Sequence, residues 1–107
     1  MTETPDLPDL PDLPDLQESI IDNETVMELF DDLDGLTEVR DVTLKGGAET
    51  RPIPGTVSLR VAQKFLMEGK VRAVQIRYRY EGSEWRDTVI EEAPHWKVVR
   101  MQMPGLT

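Results

Sequence analysis

Asp87 and His95 are the residues of this chain whose types and settings come nearest to acid–base chemistry. Asp87 lies in the run Trp85-Arg86-Asp87-Thr88-Val89. Period-two alternation puts its carboxylate on the face that also carries Tyr78, Tyr80 and Trp85. A carboxylate in that company needs a partner, or its titration shifts. The reading favoured here is a bond from a tyrosine hydroxyl at the rim of a sheet; a catalytic acid is the minor alternative. His95 is the only histidine, in or beside the turn Pro94-His95-Trp96. A general base there would lack a nucleophile to activate. The chain has no cysteine, and Ser83, the one serine near a strand, falls in a turn. The expectation is a solvent-exposed loop histidine and a chain that is not an enzyme.

Two further motifs fail on spacing. Asp31-Asp32-Leu33-Asp34-Gly35 is like the start of a calcium-binding loop. With Gly35 at the sixth position, however, the first ligand position is Phe30 and the twelfth is Asp41 rather than glutamate. Gly46-Gly47 has neither the spacing of a nucleotide-binding loop nor a lysine-serine or lysine-threonine pair after it. No cofactor and no metal is expected.

Recognition chemistry is better represented. Arg77, Arg79, Arg86 and Arg100, with Trp96, are expected on one face of a sheet, where guanidinium groups beside an aromatic ring bind carboxylates, phosphates or stacked bases. A second candidate is the acidic amphipathic segment 26–33, whose Leu29, Phe30 and Leu33 could enter a partner's groove. The bland alternatives are an outward face of solvated arginines and an ordinary core-packing helix.

Those residues require elements to hold them. Val26, Leu29, Phe30 and Leu33 have helical spacing, so a first helix is expected over 22–34, capped by Asp22 and ended by Gly35, with an Ile21–Val26 staple. Asp31, Asp32 and Asp34 crowd its negative end, an arrangement that a basic partner would relieve. A short strand is expected over 38–45, around Val39 and Val42. A second helix over 58–68, capped by Ser58, places Leu59, Ala62, Phe65 and Leu66 on one face. Segments 71–80 and 85–90 read as a hairpin with Gly82-Ser83 at its turn, pairing Tyr80 with Trp85, Tyr78 with Asp87 and Arg79 with Arg86. A third strand over 96–103 is expected to turn Val99, Met101 and Met103 to the core. The sum is an α+β domain: a small, three- to four-stranded, mostly antiparallel sheet with one or two helices on one face.

In front stands an acidic repeat. Residues 5–16 read Pro-Asp-Leu four times. Proline at every third position excludes an α-helix and favours polyproline II, which aligns the leucines in one stripe and the aspartates in another. Residues 1–18 are therefore expected to be a disordered acidic tail and residues 19–107 a single small domain. The net charge of −9 is split, with 15 acidic and 3 basic side chains in residues 1–56 against 6 and 9 in residues 57–107. The two halves can attract each other, and the front half can attract a basic partner. No apolar run has the length of a membrane span, and no signal-peptide pattern is present, so the expected compartment is the cytoplasm.

The favoured function is a non-enzymatic interaction or accessory module whose partner is another protein, met through the acidic arm, the arginine face, or both. The alternative is a sheet that binds single-stranded nucleic acid and is masked by its acidic tail, disfavoured by phosphate repulsion. A small enzyme or small-ligand protein is the third reading.

Overall fold

The computed structural model describes residues 16–46 and 57–103. Its elements run β1 (Leu16–Ile21), α1 (Asn23–Leu36), β2 (Glu38–Lys45), α2 (Leu59–Met67), β3 (Ala73–Tyr80), β4 (Ser83–Glu92) and β5 (His95–Gln102). All five strands form one antiparallel sheet in the order β1-β5-β4-β3-β2. Both helices lie on the same side of it and share a single apolar core. The architecture is α+β, with more strands than expected. None of the described helices is long and apolar enough to cross a membrane.

Helix α1 begins as its sequence dictates. The Asp22 carboxylate accepts the Thr25 N–H at 2.9 Å, and this bond to an otherwise orphaned donor holds its pKa below the ordinary aspartate value. Val26, Leu29, Phe30 and Leu33 are all buried. The helix continues through Gly35 to Leu36 and is capped at Thr37, whose hydroxyl donates to the Leu33 carbonyl at 2.6 Å. Its acidic last turn is relieved from outside, because Arg60 of α2 reaches Asp31 at 3.0 Å and Asp34 at 3.3 Å.

Helix α2 is capped by Ser58, which accepts the Val61 N–H at 3.1 Å. At the other end Lys70 N–H bonds to Phe65 O at 2.9 Å and Gly69 N–H to Leu66 O at 3.1 Å. These are the paired bonds of a Schellman ending, with Gly69 at φ +75° supplying the left-handed residue it needs.

Strand β2 resolves a sequence conflict. Val39 and Val42 are three apart, so plain alternation cannot put both in the core. A bulge between Val39 and Asp41 inserts one extra residue, and Val39, Val42 and Leu44 then all pack inward.

Three expectations are corrected. The β3–β4 turn is Glu81-Gly82, not Gly82-Ser83; both have positive φ, +51° and +83°, as the tight turn matched to sheet twist requires. Tyr78 therefore opposes Trp85, Ile76 opposes Asp87, and Arg77 rather than Arg79 opposes Arg86. The shift is two residues, so every side chain keeps its expected face. Second, Leu16–Ile21 is a strand paired to β5, so the expected tail boundary at residue 18 falls inside β1. Residues 1–15 of the expected tail lie outside the described residues. Third, β5 presents the opposite face from that expected. Trp96, Val98 and Arg100 are buried inward, while Val99 and Met101 are half-buried and outward.

Candidate functional site

The inward face contains a closed polar cluster. Asp87 is fully buried on β4, directly opposite Arg100 on β5, which is 2 % exposed. Arg100 Nε donates to Asp87 Oδ1 at 2.8 Å and Nη2 donates to Oδ2 at 2.7 Å. The Tyr78 hydroxyl donates to Oδ1 at 2.9 Å. The tyrosine bond is the one the sequence led us to expect, but the site is interior rather than at the rim, and the main partner is the arginine. Burial, then the adjacent Asp87 charge, pushes the Tyr78 phenol well above its ordinary range. Burial alone would lower the Arg100 pKa, but its bonds and charge attraction to Asp87 outweigh that and raise it. The carboxylate is thus bonded at both oxygens, by the guanidinium and by the phenol.

Trp96 is likewise a core residue, with its indole Nε1 donating to Asn23 Oδ1 at 2.9 Å at the start of α1. Placing Arg100 and Trp96 on the arginine face is therefore corrected. An inward carboxylate on β4 demands a cation on the adjoining strand, and Arg100 stands opposite it. The apolar edge of segment 26–33 is corrected too: Leu29, Phe30 and Leu33 are no more than 3 % exposed, because they are spent on this protein's own core. His95 is exposed as the first residue of β5. Among the described residues no cluster of potential ligands could hold a metal ion.

Arg77, Arg79 and Arg86 do share the outer face. Arg77 pairs with Asp41 at 3.1 Å and Arg79 with Glu84 at 4.0 Å, both near solvent. Arg86 opposes Arg77 across the strands; its recorded side-chain contact is a 3.6 Å approach to the Met101 sulfur, with no carboxylate partner among the described residues. Beside it the register aligns Val99 with Thr88 and Lys97 with Ile90, and Ile20 on edge strand β1 is 58 % exposed. The outer face is thus arginine-bearing across β3 and β4 and partly apolar across β5 and β1. Alternation alone does not reveal the apolar part, because both faces of β5 carry apolar residues; the signal in the sequence is the need of Asp87 for a cation.

No family model matches the chain, and no curated protein or solved structure matches it either.

Proposed function

We propose that the chain is a non-enzymatic interaction module that docks another protein on the outer face of its sheet. The carrying observation is the one-sided architecture: both helices pack on the inner face, and no described element covers the outer one. That face combines guanidinium groups with neighbouring half-buried apolar side chains, the mixture typical of a protein contact, in which arginine is enriched. Arg86 lends specificity, since it stands next to Arg77 with no carboxylate of its own among the described residues, and like charges opposite each other disfavour the uncomplexed state. An acidic side chain from a partner would sit between them. The single-strand reading loses its support, because Trp96, the ring on which a base would have stacked, is packed inward.

The test compares the native chain with an Arg77→Glu, Arg86→Glu variant as baits in the same lysate, after circular dichroism establishes that both are folded. Partners retained by the native bait and lost by the variant support the reading. An identical retained set overturns it.

A further inference from the structure

We infer that edge strand β1 pairs with β1 of a second copy, antiparallel about a two-fold axis at Ser19, and so joins two sheets into one. The inference goes beyond the outer-face reading and does not depend on it.

The sheet ends in two strands, β1 and β2, and they are built differently. An edge strand offers a row of backbone donors and acceptors to any extended chain, and charges or a bulge deter such pairing. Strand β2 carries both deterrents. Its register shifts between Val39 and Asp41. It also carries Glu38, Arg40, Asp41 and Lys45, with Arg40 held between Glu38 at 3.5 Å and Glu84 at 3.3 Å. Strand β1 is more open to a partner. It pairs with β5 from Leu16 to Ile21 without a register shift, and its one charged side chain is Glu18. Ile20 is 58 % exposed, more than any other large apolar side chain among the described residues. A regular edge with an exposed isoleucine is the kind that another strand covers.

The occupant follows from the pairing rules. A two-fold axis normal to the sheet keeps each face on its own side, so only residues of one face come opposite each other across the seam. Glu18 and Ile20 lie on the outer face, paired with Val99 and Lys97, while Gln17, Ser19 and Ile21 lie on the inner face, paired with Arg100, Val98 and Trp96. An axis at Glu18 sets two carboxylates directly opposite, and an axis at Ile20 sets Glu18 against Asp22; like charges so placed are unfavourable. An axis at Ser19 avoids both. Ser19 then opposes its own copy, where two hydroxyls can share a hydrogen bond. Gln17 opposes Ile21, and the exposed Ile20 lies against the methylene stem of the second copy's Glu18. Strand β1 is thus complementary to itself. The other charges near the seam are Lys97, one strand in and paired with Glu92 at 3.7 Å, and Asp22, whose carboxylate caps α1. The two Glu18 side chains stay diagonal, roughly 7–8 Å apart. Each chain also carries a net charge of −9, so association strengthens as salt screens the repulsion. The joined sheet keeps the helices of both copies on one side and sets the two outer faces side by side on the other.

Sedimentation velocity of the full chain over a concentration series, at low and moderate salt, tests the pairing. The expected result is a shift toward twice the chain mass as concentration rises, larger at moderate salt. Two changes at the exposed position 20 read the register. Ile20→Glu sets like charges opposite each other twice across the seam and is expected to weaken association about tenfold. Ile20→Lys sets a lysine against each Glu18 and is expected to strengthen it about as much. Circular dichroism establishes that both variants are folded. Arg77→Glu, Arg86→Glu is expected to leave the dimer unchanged. A monomer at every concentration and salt overturns the inference. So does an equal effect of the two Ile20 variants, or a dimer lost with Arg77→Glu, Arg86→Glu, which assigns the contact to the outer face. The two proposals fail separately. Partner capture by a chain that never self-associates keeps the docking face and removes the seam, and the reverse pattern removes the docking face and keeps the seam.

Discussion

Asp87 and Arg100 oppose each other across β4 and β5 and are joined by two hydrogen bonds of 2.8 and 2.7 Å, with both side chains sealed from solvent. Each neutralises a charge that the interior could not otherwise hold. Removing either partner strands the other, so Arg100→Met or Asp87→Asn is expected to cost about 3–5 kcal/mol in urea unfolding. The double variant Asp87→Leu, Arg100→Met is expected to recover most of that loss. Additive losses in the double variant would show that the two groups do not act as a pair.

Tyr78 completes the cluster, and its raised pKa has a defined pH consequence. The folded state keeps the phenol protonated where the unfolded chain releases the proton. Its contribution is therefore fully present below the ordinary tyrosine pKa near 10 and is lost as pH rises beyond it. Above that pH, stability is expected to fall more steeply in the native chain than in Tyr78→Phe, by about 1.4 kcal/mol per pH unit for the one proton involved. Unfolding midpoints of the two chains from pH 9 to 11 measure the difference, and parallel curves would count against it.

Glu81 holds φ +51° in the β3–β4 turn, a conformation costly for a side chain of its shape and better tolerated by asparagine. Glu81→Asn is expected to raise stability by about 0.5–1 kcal/mol. Thermal melting that is unchanged or lowered would contradict the turn assignment.

The facing of β5 is tested by two adjacent valines. Val98 is 2 % exposed and inward, whereas Val99 faces outward. Val98→Lys is expected to cost more than about 4 kcal/mol or to abolish folding, because it buries an unpaired ammonium. Val99→Lys is expected to cost about 1 kcal/mol or less. Denaturation of both variants decides it, and the opposite ranking would restore the facing expected from sequence alone.

The period of the apolar residues marked both helices and strands β3 and β4, since each element can bury only one stripe or face, whereas in β2 the bulge between Val39 and Asp41 broke it. Asp22 and Ser58 were legible as caps because a helix start needs a side-chain acceptor at one position. The need of Asp87 for a partner followed from its place on the apolar face of β4. Strand β1 was hidden because Leu16–Ile21 lies at the sheet edge and mixes Gln17, Glu18 and Ser19 into its pattern.

What the sequence by itself determined was therefore local: the approximate spans of both helices and of four of the five strands, where the helices start, and where the charge lies. Strand order, hairpin register and the facing of β5 were decided only by the tertiary structure. Both faces of β5 carry apolar residues, so alternation could not choose between them. The choice rested on Asp87 across the strand boundary, which pulled Arg100 inward with Trp96 and Val98 and left Val99 and Met101 beside Arg86 on the outer face. A pairing between distant residues leaves no periodic trace in either segment, and that is why the candidate surface took its composition from the fold.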